Sequence, residues 1–196
     1  DQPALAAAMA SAAASSSSDG DRPTIELAGG AGYLVNSTWT LSPSLSCNLE
    51  LKGSGTGTSS SRIIAPAVGF TGTSIIQVAT QAGIAATMDI YWHDFGIYDV
   101  SATLRGMNFG ATGAGTISGL QKSLVEDVYI VNCPVGIQLT HTRLIKFSRV
   151  SIWFPSSGAA NGVVLDPVDN TASATTGDLA FTDVQIVSNG VAGQVG

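Results

Sequence analysis

Apolar and polar residues follow an eight-position pattern that occurs four times along the chain. It reads Ile90-Tyr91-Trp92-His93-Asp94-Phe95-Gly96-Ile97, then Ser123-Leu124-Val125-Glu126-Asp127-Val128-Tyr129-Ile130. It returns as Ile145-Lys146-Phe147-Ser148-Arg149-Val150-Ser151-Ile152 and as Leu179-Ala180-Phe181-Thr182-Asp183-Val184-Gln185-Ile186. Positions one, three, six and eight are apolar in every copy, Ser123 excepted. Two apolar residues at period 2, two polar residues, then two more at period 2 describe two short strands joined by a sharp turn. Successive copies begin 33, 22 and 34 residues apart. A supersecondary unit recurring at such a spacing buries its apolar face only by stacking on the next copy, which predicts a solenoid. With strands as the unit, the solenoid is all-β: a parallel β-helix. Its interior would hold one column of Phe95, Val128, Val150 and Val184 and another of Ile97, Ile130, Ile152 and Ile186.

A third strand recurs between the copies as Gly106-Met107-Asn108-Phe109, Gly136-Ile137-Gln138-Leu139 and Gly162-Val163-Val164-Leu165. Three short sheets per coil and about five coils follow, a stack ~20–25 Å tall at ~4.8 Å per rung. Upstream lie short strand-like runs at Thr24-Ile25-Glu26-Leu27, Tyr33-Leu34-Val35, Trp39-Thr40-Leu41, Leu49-Glu50-Leu51-Lys52 and Arg62-Ile63-Ile64. Residues 3–14 are Ala-rich and predict the one helix, with Asp1 as N-cap and Leu5, Ala8, Met9 and Ala12 on one face. An Ala-rich dozen is marginal alone, so that face should rest on the open end of the stack. The run Ser15–Ser18 and Asp19-Gly20-Asp21 reads as a flexible link. The organisation is therefore a capping helix and linker over 1–22 and a β-helix over 23–196. The longest interruptions, 153–161 and 166–178, should leave the stack as loops, where binding sites commonly sit.

Composition narrows the function. Charged residues make up only 11% and the net charge is −6, with eight Lys and Arg scattered singly. A nucleic-acid partner needs a basic stripe, so none is expected. No apolar run approaches membrane-spanning length, so no membrane insertion is expected. Cys47 and Cys133 are too far apart in sequence for a metal motif, and both read as small apolar residues. Neither cofactor nor metal is expected. No signal peptide is visible, and the last residues carry no obvious cap, so we expect a fragment of a longer coil.

The Ala-rich helix, then Thr24-Ile25-Glu26-Leu27-Ala28-Gly29-Gly30-Ala31-Gly32-Tyr33-Leu34-Val35, then Leu49-Glu50-Leu51-Lys52-Gly53-Ser54-Gly55, resembles the opening of the pectin-lyase-like right-handed β-helices. In that superfamily the first strand pair is often joined through Pro-Ala-Gly-Thr-Tyr, where this chain has Gly29-Gly30-Ala31-Gly32-Tyr33. The resemblance implies a right-handed, single-stranded parallel β-helix with a short N-terminal capping α-helix. It says little about chemistry, because the fold hosts many activities. The Asn-Thr-Asp, Asp-Asp and Gly-His-Gly motifs of the pectin hydrolases are absent. Their Arg-Ile-Lys motif is only loosely echoed by Arg143-Leu144-Ile145-Lys146, where Ile145 should point inward.

The period-2 rule places Tyr91, Leu124, Lys146 and Ala180 in one outward column and Gly96, Tyr129, Ser151 and Gln185 in another, with Asn108, Gln138 and Val164 on the third sheet. None is a carboxylate, whereas glycoside hydrolysis usually takes two. Carboxylates sit instead in the turn columns His93, Glu126, Ser148, Thr182 and Asp94, Asp127, Arg149, Asp183. Two readings stand for them. Glu126 and Asp127, the adjacent acidic pair, are the candidate catalytic residues, forming with Asp94 an acid/base cluster in which one member's pKa is raised. Alternatively, Arg149, one rung from Asp127 and from Asp183, makes a solvated salt-bridge ladder. His93 and His141 read as surface histidines. In the loops, Trp153 beside Phe154, and Asp166 and Asp169 around Pro167, are the candidate substrate-binding residues; an aromatic ring stacks on a sugar face while acids take its hydroxyls. Trp153 is equally readable as a buried loop anchor.

The sequence thus supports a polysaccharide-engaging β-helix, most like phage tailspikes and tail-associated depolymerases. That resemblance implies recognition or depolymerisation of a host surface glycan, a homotrimeric parent, and a virion or extracellular location. The parent would be a polysaccharide depolymerase, while this chain alone is expected to be inactive. Two alternatives remain: a secreted microbial polysaccharide lyase or glycoside hydrolase, and a non-catalytic structural segment of an appendage or adhesin.

Overall fold

The computed structural model describes residues 1–15, 22–41, 48–55, 60–79, 89–110, 123–140, 142, 144–165 and 178–196. Among these residues one helix, α1 (Gln2–Ser15), precedes sixteen strands. These are β1 (Thr24–Glu26), β2 (Gly32–Leu34), β3 (Ser37–Leu41), β4 (Leu49–Lys52), β5 (Ser61–Ala65), β6 (Thr71–Ala79), β7 (Ile90–Asp99) and β8 (Arg105–Gly110). They continue as β9 (Ser123–Val131), β10 (Val135–Thr140), β11 (Ile145–Ser148), β12 (Ser151–Trp153), β13 (Ala160–Leu165), β14 (Ala180–Thr182), β15 (Gln185–Val187) and β16 (Gln194–Val195). The fold is mainly β, and the strand pairings among the described residues are parallel.

The pairings form three columns. The first runs β1-β4-β7-β9-β11-β14, the second β2-β5-β7-β9-β12-β15 and the third β3-β6-β8-β10-β13-β16. Strands β7 and β9 each serve two columns, one with each half. Six rungs result where the sequence pattern suggested about five. The four copies make four of them, and the short N-terminal strands make the other two, β1 to β3 and β4 to β6.

The four copies stack in the expected register. Trp92 pairs with Val125, Val125 with Phe147 and Phe147 with Phe181, while Ile97 pairs with Ile130, Ile130 with Ile152 and Ile152 with Ile186. Phe95, Val128, Val150, Ile97, Ile130 and Ile152 are buried, and Val184 and Ile186 of the last rung are half-buried. Ser123, the one polar residue at an apolar position, is buried because its Oγ accepts a hydrogen bond from Ile90 N (3.2 Å).

The sharp turn has a backbone cause. Asp94, Asp127, Arg149 and Asp183, the fifth residue of each copy, all have left-handed φ values of 62°, 49°, 50° and 53°. This conformation costs most side chains about 1–2 kcal/mol, and Asp tolerates it best among charged residues. Three of the four are Asp. Below them, Gly53 takes the same place and donates to His93 O (2.9 Å). A Cβ there would lie 2.1 Å from Asp94 O. In the third column, Gly106, Gly136 and Gly162 sit near the starts of β8, β10 and β13, where a Cβ would strike Ile130, Ile152 and Ile186 of the second column. Absent side chains let those isoleucines close the interior.

Helix α1 lies on the first rung. Leu5, Met9 and Ala12 are buried and Ala8 packs beside them, as its face predicted. Asp1 O accepts the first helical bond, from Leu5 N (3.1 Å), while its side chain turns to the stack, Oδ2 accepting from Leu34 N (3.0 Å). Gln2 Oε1 accepts from Asn36 N and Ser37 N, both at 3.0 Å. These donors belong to the edge of the first rung, where they have no lower strand to bond. The linker expected at 16–21 lies outside the described residues.

Candidate functional site

Two features share the outer surface of the first two columns, either side of the left-handed corner. On the first column, the outward row is Thr24, Glu50, Tyr91, Leu124, Lys146 and Ala180, paired rung to rung. Glu50 corrects the expectation that this face is free of carboxylates. His93, expected at the surface, is only 8% exposed. Its Nδ1 lies 2.7 Å from Asp94 Oδ2 and its Nε2 lies 3.0 Å from Glu50 Oε1, while its ring stacks on Tyr91 at 4.2 Å. Thr24 Oγ1 donates to Glu50 Oε2 (2.5 Å). That hydrogen bond, followed by His93, holds the Glu50 carboxyl below its ordinary range.

One rung up, Tyr91 Oη donates to Glu126 Oε2 (3.3 Å). Burial first, and then the negative Glu126, push the Tyr91 phenol up. Arg149 closes the network. Its Nε donates to Asp127 Oδ1 (2.8 Å), a terminal nitrogen donates to Asp127 Oδ2 (2.7 Å), and the same nitrogen bonds Glu126 Oε1. The bidentate guanidinium holds Asp127 below the usual carboxylate range. A general acid at neutral pH needs the opposite shift. The candidate pair Glu126 and Asp127 is thus brought together with Arg149, which makes the Asp127 half of the expected salt-bridge ladder; among the described residues no ion pair joins Arg149 to Asp183.

On the second column an aromatic stripe climbs three rungs. Tyr98, Tyr129 and Trp153 belong to β7, β9 and β12, with ring centroids 6.3 Å and then 5.8 Å apart, each pair tilted by 60°. Arg62 lies over the Tyr98 ring at 5.8 Å. Gly96 makes room for this packing, since a Cβ would lie 2.8 Å from the Tyr98 ring. Trp153 was expected in a loop or as a buried anchor. It is instead the last residue of β12, paired with Val131 and Val187, and it is 39% exposed. Phe154 is the buried member of the pair. Burial, then Tyr98, raise the Tyr129 phenol, so it stays a neutral hydroxyl at physiological pH.

The stripe was missed because the eight-residue pattern ends one position early. Tyr98 and Trp153 are the residues that immediately follow it, and strand alternation continues outward through them. Glu50 and Arg62 were missed because seven residues, 54–60, separate the two halves of their copy of the pattern, Leu49–Gly53 and Ser61–Ile63. Asp166 and Asp169, with His141 and Cys47, lie outside the described residues. Cys133 is buried, and burial raises its thiol well above the ordinary value. Among the described residues, no group of three or more His, Cys, Asp or Glu side chains is placed to hold a metal ion. No helix among them is long and apolar enough to cross a membrane. No protein-family model, no curated protein and no solved structure matches the chain.

Proposed function

We propose that this chain is a glycan-recognising, right-handed parallel β-helix of the phage tailspike type, within the pectin-lyase-like superfamily. The right hand is supported by the strong preference of parallel crossover connections for that sense. The observation that carries the function is the stripe of Tyr98, Tyr129 and Trp153, half-open to solvent on three successive rungs of a rigid sheet. A pyranose presents polarised C–H groups on one face, and these meet the negative face of an aromatic ring. Rings repeated at the rung spacing suit a chain of sugars. Arg62 at the lower end and the phenol hydroxyls supply polar contacts along it. Stacked nucleobases would also fit rings, but the −6 chain offers no basic stripe to hold a phosphate backbone.

Recognition rather than cleavage is the activity assigned to this chain. Asp127 is held ionised by Arg149, Glu126 shares that guanidinium, and the Tyr91 phenol is shifted away from ionisation. A depolymerase reaction, a homotrimeric assembly and a virion or extracellular location belong to the parent protein in this proposal. The test is a panel of bacterial capsular and O-antigen polysaccharides, assayed for binding and for new reducing or unsaturated ends. We expect saturable binding to at least one, weakened about tenfold or more by Trp153→Ala or Tyr129→Ala, and no product. Product formation abolished by Glu126→Gln or Asp127→Asn would instead make the acidic pair catalytic.

A further inference from the structure

A cavity of about 540 Å³ lies at the corner between the second and third columns, away from the acidic network. Its walls come from three successive rungs: Pro66 and Phe70 after β5, Thr73 of β6, the 100–104 turn with Arg105, and Pro134. We infer that this cavity is an anion site that takes a carboxylate carried on a compact ring, with Arg105 as the carboxylate's partner.

Three observations build the site. The first is the cation. Arg105 donates from a terminal nitrogen to Thr73 Oγ1 (3.3 Å), and among the described residues no carboxylate pairs with it. A half-buried guanidinium has donors to spare in a planar fork that matches a carboxylate. Thr73 accepts from Arg105, which leaves its own hydroxyl proton for a ligand oxygen.

The second is a break in the strand ladder that puts Thr73 there. Ser37 pairs with Thr71 but Trp39 pairs with Ile76, so the single residue Thr38 stands opposite residues 72–75. The bulge turns on Gly72, whose φ is 123° and whose missing Cβ would lie 2.1 Å from Thr38 Oγ1. Thr38 Oγ1 in turn donates to Ser74 O (2.7 Å). Bulges re-aim side chains and are favoured beside functional sites.

The third is a turn that is fixed in advance. Buried Asp99 accepts from Ser101 N (2.9 Å), Ser101 Oγ (2.7 Å), Thr103 N (2.6 Å) and Leu104 N (2.6 Å). Its charge is thereby satisfied within the turn, so it does not compete for Arg105. The Asn132 side chain donates to Asp99 O (2.6 Å), tying the turn to the next rung. Phe70, Pro66 and Pro134 then offer apolar walls for the ring that carries the carboxylate.

The ligand chemistry has two sources, a free ring acid or an acidic sugar within a glycan. The first probe is D-glucuronate, with D-glucose as its uncharged counterpart, titrated into the whole chain by calorimetry and by amide NMR shifts at Thr73, Ser101 and Arg105. We expect glucuronate to bind saturably and glucose not. Arg105→Gln should weaken glucuronate about tenfold or more, and Thr73→Val by a smaller factor with an unchanged melting temperature. Trp153→Ala should leave it unaltered, which separates this site from the stripe. A glucuronate-containing oligosaccharide that binds at least about tenfold tighter than the monosaccharide assigns the pocket to a glycan residue, and equal affinity assigns it to a free acid. Equal binding of glucose, or a folded Arg105→Gln variant with undiminished affinity, would overturn the site, as would no binding of either acid.

Discussion

Val150 shows how little room a single residue has in this stack. It lies just past a left-handed Arg149, outside any strand, yet it is fully buried and its carbonyl accepts from Gln185 N (2.8 Å) on the next rung. Val150→Asp would place an unpaired carboxylate between apolar rungs, at a cost on the order of several kcal/mol against a margin of about 5–15. The variant should unfold at far lower urea, or not fold at all. Wild-type stability would contradict the register. The acids outside the core predict a pH effect whose sign is fixed. Glu50 and Asp127 are held below their ordinary values, so they bind fewer protons folded than unfolded. Their contribution is present above the unfolded carboxylate pKa of about 4 and is lost as pH falls through the lower folded values. Stability against pH should therefore fall steeply below about pH 4. Arg149→Ala removes the main cause of the Asp127 shift and should flatten that limb, an effect that denaturant midpoints measured from pH 2 to 7 would reveal or exclude.

At the scale of elements, the stack is held by what its glycines lack and what its helix supplies. Gly53→Ala sets a methyl 2.1 Å from the Asp94 carbonyl and 2.8 Å from Phe95 Cβ, both parts of the rung above. Neither can yield cheaply, so we expect a loss of about 1–3 kcal/mol, read as a lower melting temperature. Helix α1 covers Ile25 and Trp39 with Leu5 and Met9, and the Asp1 and Gln2 side chains at its start occupy three edge donors. Deleting residues 1–15 should expose that edge and promote association, checked by light scattering. Much of this was legible in the sequence. The four copies fixed the rung register, because a one-residue slip would turn every Val and Ile outward. Residues 3–14 announced their helix through alanine and its face through Leu5 and Met9. The site was less legible. Alternation says that Trp153 points outward, but only the pairing of β9 with β12 brings Tyr129 beside it. Likewise nothing local to Glu50 marks its partner His93, which lies 43 residues on.

At the scale of the whole molecule, a rigid stack sets an acidic network and an aromatic stripe on adjoining outer faces. The network is consumed by its own hydrogen bonds, while the stripe keeps its rings open. The interior column ends at Phe181, which stacks on Phe147 at 5.2 Å and is 41% exposed at the last described rung. We propose that the stripe grips a glycan, and the chain carries its own reporter. Of the three tryptophans, Trp39 and Trp92 are buried, and Trp153 alone is exposed. The most direct measurement is a fluorescence titration with the polysaccharide the panel selects, repeated on Trp153→Phe. We predict a saturable change in tryptophan emission for the wild type, shielding of that emission from an iodide quencher at saturation, and loss of the change in Trp153→Phe with binding still detectable by calorimetry. Binding that leaves Trp153 emission and its quenching unchanged would place the glycan elsewhere than on the stripe.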